Sequence, residues 1–139
     1  MAENITLSII KPFAVKSGFI GPIMAIITEA GFRISAIKSV KLTIGQAEEF
    51  YAIHKSKPFY NDLVEFMSSG SIVAMILKKE NEVEDFRELI GNTDPLEAKE
   101  GTIRKMFAES LQRNAVHGSD SDENAIIESD FFFAKKERF

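Results

Sequence analysis

Residues 5–12 read Ile5-Thr6-Leu7-Ser8-Ile9-Ile10-Lys11-Pro12. The apolar, β-branched run from Ile5 to Ile10 is too short for a helix and suits a strand inside a sheet. Pro12 has no amide hydrogen and stops the ladder there. Gly21-Pro22 then opens a helix, with proline in its first turn. Ile20, Ile23, Met24 and Ile27 recur at helical spacing, and Gly31 can cap the end. Arg33 to Thr43 alternates as a second, longer strand. Gln46 to His54 reads as helix until Pro58 breaks the pattern. Tyr60, Leu63, Val64 and Met67 form another amphipathic stripe, closed by Gly70. Ser71 to Leu77 is a third strand, and Asn81 to Ile90 a helix with Val83, Phe86 and Ile90 on its inner face. A loop from Gly91 to Gly101 precedes a helical pattern over Thr102 to Leu111. A short strand surrounds His117. Asp120 or Ser121 can cap a last helix running toward Phe133, with Glu123 three residues after Asp120. This order predicts an α+β fold (an α/β sandwich): a ferredoxin-like split βαβ with a four-stranded antiparallel sheet and helices packed on one face.

The chain has 139 residues, 45% apolar and 27% charged, which fits one soluble globular domain over 1–139. No apolar run approaches the roughly 20 residues that span a bilayer. No basic stretch leads an apolar one at the N-terminus, so no signal peptide is read. Zero cysteines exclude disulfides and thiolate metal sites and agree with a cytoplasmic location. A net charge of −4 gives no general reason to bind nucleic acid. A small anion remains possible where a few cations converge.

Asn114-Ala115-Val116-His117-Gly118-Ser119-Asp120-Ser121 carries the chemistry. Small and polar neighbours leave the imidazole of His117 open to a ligand, where bulky apolar ones would suggest a core histidine. With no cysteine, His117 is the first candidate for a covalent nucleophile near neutral pH. The other histidine, His54, adjoins Lys55 and reads as a solvated surface residue. Lys11 shares side-chain parity with Leu7 and Ile9. It either aims a charge into a cleft above the sheet or snorkels to solvent. Arg87 and Arg104 flank the long loop. Each alone is an ordinary surface arginine, but with Lys11 they supply what a polyphosphate needs, and Thr93 adds a hydroxyl donor. Phe59, with Leu63 one turn on, could stack a flat ring, although twelve phenylalanines make ordinary core the default. Glu128 could orient His117 and fix its tautomer, with Ser119 in the same network, or pair with a lysine instead. No His/Cys cluster or acidic loop suggests a metal site made by protein ligands alone. A magnesium ion brought with a nucleotide would need few of them.

Together these motifs resemble the nucleoside diphosphate kinase family across nearly the whole chain. NAVHGSDS at 114–121 is similar to that family's active-site segment, TLSIIKP at 6–12 to its first strand and lysine, KPFYNDLVEFMSSG at 57–70 to its base-binding helix, and GNTDPLEAKEGTIR at 91–104 to its long loop and arginine. The resemblance implies transfer of the γ-phosphate of a nucleoside triphosphate, typically ATP, to a nucleoside diphosphate, maintaining the (d)NTP pools. It implies a ping-pong route through a pros-phosphohistidine at His117, although the residues alone do not say which ring nitrogen attacks. Lys11, Tyr51, Arg87, Thr93, Arg104 and Asn114 would surround phosphates and ribose. Phe59 and Leu63, with Leu111 nearby, would hold the base, and Glu128 and Ser119 would orient His117. Magnesium would accompany the nucleotide, and the chain would form a homo-oligomer, tetramer or hexamer, built from dimers. Two positions depart from the family's commonest pattern: Phe13, where a small or polar residue is usual, and Leu111, where a smaller or polar one is often found. A nucleotide sensor that leaves His117 unused is the alternative. A phosphohistidine carrier without a nucleotide pocket and an RNA-binding sheet are further rivals. The long second strand could be an edge that pairs with another subunit.

Overall fold

The computed structural model describes residues 4–111 and 113–139. Its sheet has the order β2-β3-β1-β4, from β1 (Ile5–Ile10), β2 (Arg33–Val40), β3 (Ile72–Lys78) and β4 (Val116–Gly118). Every neighbouring pair is antiparallel, with Leu7 opposite Ile76 and Ile9 opposite both Ala74 and His117. This is the expected ferredoxin-like plan. β1 and β3 are apolar at both parities, so only interior positions with two covered faces suit them. On one face Leu7, Ile9, Ala74 and Ile76 meet Ala47 of α3 (Ile44–Phe50), Val64 and Met67 of α4 (Tyr60–Met67), and Ala125 and Phe132 of α7 (Asp122–Phe132). On the other, Ile10, Val73, Met75 and Leu77 meet Ile23 and Ile27 of α2 (Ile20–Glu29) and Phe86 and Ile90 of α5 (Glu82–Ile90). Helices therefore cover both faces rather than the expected one. Phe86 is fully buried and lies edge-on to Phe32 at 5.4 Å. Truncating such a ring generally costs about 3–5 kcal/mol.

The element boundaries differ from the sequence reading for local reasons. β2 stops at Val40, not Thr43, because Thr43 begins the next helix. Its hydroxyl accepts from the amide of Gln46, and the Gln46 side chain accepts from the amide of Thr43. The α-helix expected to reach His54 ends at Phe50, and Ala52–His54 is a 3₁₀ turn. A short α1 (Pro12–Lys16) follows β1 directly, with the proline at its first turn. The helix expected over Thr102 to Leu111 is only α6 (Ile103–Phe107), since Ala108 is extended. Ser121, rather than Asp120, caps α7 by accepting from the amide of Asn124, while the Asp120 carboxylate accepts from the Asn124 side chain.

β2 lies at one edge of the sheet, as expected. Part of that edge is covered from within: the carbonyl of Ser35, at a bulge, accepts from the amide of Phe139 at 2.6 Å. The carbonyl of Phe139 in turn accepts from the Ser35 hydroxyl and the Arg33 guanidinium, each at 2.8 Å. Among the described residues no helix is long and apolar enough to cross a membrane.

Candidate active site

Register decides where the chemistry collects. His117 of β4 stands opposite Ile9, and directly opposed residues share a face of the sheet. Lys11, two residues past Ile9, keeps that parity. Both side chains therefore open on the face covered by α3, α4 and α7. The strand ends are tied together as well, because the amide of Lys11 donates to the carbonyl of Ala115 at 2.9 Å. Ala115 has φ +76°, and the amide of Val116 bonds back to the carbonyl of Asn114 at 3.0 Å, which makes a γ-turn just before the histidine. This is a costly conformation for a residue with a Cβ, and it sits where positioning matters.

His117 is held by a short relay. Its Nε2 is 2.9 Å from Glu128 Oε1 on α7, and that oxygen also accepts from the Ser119 hydroxyl at 2.8 Å. Ser119 is itself fixed, because its Oγ accepts from the amide of Leu7 at 3.0 Å. A carboxylate oxygen can only accept, so the neutral imidazole carries its proton on Nε2 and its lone pair on Nδ1. The ring is less open than its sequence neighbours suggest. Phe50 and Tyr51 contact it edge-on, with centroids 5.6 and 6.3 Å away, and 18% of the side chain is exposed.

A cleft of about 520 Å³ opens beside this ring. Lys11, Tyr51, Arg87, Thr93, Arg104, Asn114, His117 and Glu128 line its polar end, and Phe59, Leu63 and Leu111 its apolar end. Of the residues expected at the site, only Ser119 does not line the cleft, lying buried behind Glu128. Phe59 and Leu111 are exposed at the mouth. Lys11 is buried, not snorkelling, and burial, with the charge of Arg104 second, draws its ammonium down to about 7. Burial and then Arg87 lower Arg104 to about 10. Burial, followed by Glu128, pushes the Tyr51 phenol above its ordinary value, so it stays an O–H donor.

Arg104 does structural work too. It donates to the carbonyl of Gly91 at 3.0 Å and of Val116 at 2.9 Å, pinning the long loop to the histidine strand. Asn92 and Asp94 order that loop by accepting from the amides of Asp94 and Leu96. Tyr51 Oη, Arg104 Nε and Asn114 Oδ1 are buried without a hydrogen-bond partner among the described residues. Such groups are costly alone and point to a polar ligand in the cleft.

Several further lining residues escaped the sequence reading, His54, Phe50 and Asp62 among them. His54, read as solvated surface, is half-buried, stacked on Tyr51 at 6.4 Å and 5.6 Å from Phe59. Phe50 and Asp62 also line the cleft. Their helical spacing alone gave no signal of this. Phe13, which departs from the family pattern, lies away from the chemistry with Arg113 5.9 Å over its ring.

The chain has clear relatives. Residues 4–138 match the family model described as nucleoside diphosphate kinase. The nucleoside diphosphate kinase of Flavobacterium psychrophilum is 58% identical over 139 residues, the full length of both chains. That of Chlorobaculum tepidum is 59% identical over 132 residues, 95% of this chain and 94% of the relative. The solved Aquifex aeolicus nucleoside diphosphate kinase superposes with a TM-score of 0.96 at 41% identity, covering 98% of this chain and 99% of the other. The Halobacterium salinarum enzyme, solved in complex with CDP, gives 0.94 at 32% identity over 99% and 91%. The chain belongs to the nucleoside diphosphate kinase family, enzymes that transfer phosphate between nucleotides.

Proposed function

We propose that the chain moves the γ-phosphate of a nucleoside triphosphate, typically ATP, onto a nucleoside diphosphate through a phosphohistidine on Nδ1 of His117. The observation that carries this is the Glu128 contact at 2.9 Å, which engages Nε2 and leaves Nδ1 as the free nucleophilic nitrogen. Nδ1 attacks the γ-phosphorus, and the P–N bond forms as the bond to the bridging oxygen breaks. The electron pair leaves with the nucleoside diphosphate. Neutral imidazole already has a lone pair, so no general base is needed. Lys11, Arg87 and Arg104 offset charge on the phosphate oxygens, and Tyr51 and Asn114 add neutral partners. Glu128, steadied by Ser119, stabilises the positive charge that develops on the ring. An acceptor diphosphate then reverses the step on the same contacts, a ping-pong cycle. Phe59 and Leu63, with Leu111, stack the base, and stacking tolerates every base. The CDP complex of the Halobacterium salinarum relative supports a nucleotide in this fold.

The cleft suits a magnesium ion that arrives with the nucleotide. Among the described residues no three His, Asp or Glu side chains cluster to cage a metal. A small hard cation held by phosphates and water needs few protein ligands, and exposed Asp120, which lines the cleft and has only Oδ1 taken by Asn124, would accept from its water. Bound magnesium would draw charge off the phosphate oxygens. We place the enzyme in the cytoplasm. The exposed remainder of the β2 edge, including Ile37 at 40%, is where a dimer would form within a tetramer or hexamer.

Incubation with γ-labelled ATP and magnesium, without acceptor, tests the reading. Acid-labile, alkali-stable label should appear on the wild type and leave on addition of GDP or CDP. His117→Ala should bind nucleotide and fold but take no label. Label on His117→Ala would sink the assignment, and nucleotide binding without label on the wild type would favour a sensor.

A further inference from the structure

The apolar end of the cleft carries one carboxylate. Phe59 sits at the N-cap of α4, Asp62 three residues later and Leu63 four, so all three share one helical face. Asp62 is exposed and lines the cleft with Ile53 and Leu111. The other two carboxylates of the cleft are already engaged at the histidine end: Glu128 by His117 and Ser119, Asp120 by Asn124. Among the described residues no ion pair or side-chain hydrogen bond engages Asp62.

We infer that Asp62 reads the edge of the base stacked on Phe59 and biases the enzyme toward guanine nucleotides. A carboxylate only accepts hydrogen bonds. Guanine presents two adjacent donors, N1–H and the 2-amino group, which match two carboxylate oxygens. Adenine and cytosine offer one amino group beside a ring-nitrogen acceptor. Uracil and thymine set a single N–H between two carbonyl oxygens, which a carboxylate repels. The inference rests on the cleft being the nucleotide site and adds a base preference to it. Because Asp62 is exposed, water competes for the same contacts, so the bias is a few-fold rather than an exclusion. That leaves all bases usable, as an exchange enzyme requires.

The test measures kcat/KM for discharge of the phosphorylated enzyme by GDP, IDP and UDP. IDP keeps the N1–H of GDP and lacks the 2-amino group. In Asp62→Ala the GDP-to-UDP ratio should fall about fivefold, the scale of an exposed charged contact. The GDP-to-IDP ratio should fall with it, and Asp62→Asn should also narrow both ratios. Unchanged ratios in Asp62→Ala would overturn the inference. A lowered Tm with unchanged ratios would overturn it too, leaving Asp62 as an acidic residue that steadies the first turn of α4. Phe59→Ala separates the two levels, since it should slow all three acceptors alike. If it does so while the Asp62 ratios hold, only the base-reading idea falls. If Phe59→Ala leaves all three unchanged, the base does not stack there and both fall.

Discussion

Lys11 should make nucleotide affinity depend on pH. In the ligand-free protein burial, and secondarily Arg104, lowers its ammonium to about 7. Nucleotide phosphates favour the charged form, so binding takes up a proton wherever the free protein has released it. From a value of about 7, the charged fraction falls from about one quarter at pH 7.5 to about one hundredth at pH 9. Affinity for ADP should therefore drop roughly 25-fold across that window. Neither neighbour masks the effect: phosphate has its second pKa near 6, and Arg104, at about 10, stays charged. Calorimetry in two buffers of different ionisation enthalpy reads both affinity and proton uptake, which should approach one proton at pH 9. Lys11→Arg stays charged throughout and should flatten the profile. Constant wild-type affinity between pH 7.5 and 9, with no proton uptake, would refute the reasoning. The same shift gives a stability sign. The folded value lies below the unfolded 10.5, so the unfolded chain binds more protons between the two, and ligand-free stability should rise with pH from about 7 toward 10.5. Urea melts of wild type and Lys11→Met, which lacks the group, check this.

Glu128 touches His117 and Ser119, so Glu128→Ala should lower kcat about 10- to 100-fold while Kd for ADP changes little. An equal loss in both would mean that the residue supports the whole cleft rather than the imidazole. Gly91 has φ +90°, and a Cβ there would lie 2.6 Å from Thr102 Oγ1, on the residue that caps α6. Gly91→Ala should cost about 2–3 kcal/mol in urea unfolding and raise KM for nucleotides, because the Gly91 carbonyl holds Arg104. Unchanged stability would show that the loop adapts freely.

Much of the fold was legible because its signals are local. β1 and β3 read as buried strands from continuous apolar runs, and α2 and α5 from apolar residues at helical spacing. Errors fell where a local contact outweighed periodicity, as at Thr43, which serves the α3 cap instead of extending β2. The helix after Thr102 read too long because apolar spacing continues past Phe107, while the backbone turns extended at Ala108. His54 was misread because its charged neighbour Lys55 suggested solvent, whereas the 3₁₀ turn folds it against Tyr51.

By itself the sequence determined which segments become strands and helices, and the NAVHGSDS segment marked the histidine. These are properties of neighbouring residues, and a period or a motif carries them. Only the tertiary structure decided that His117 lies opposite Ile9, that Glu128 engages Nε2, and that Arg104 joins Gly91 to Val116. Those contacts depend on sheet register and on how a long loop closes. Both are settled by packing between residues far apart in the chain, where spacing holds no information.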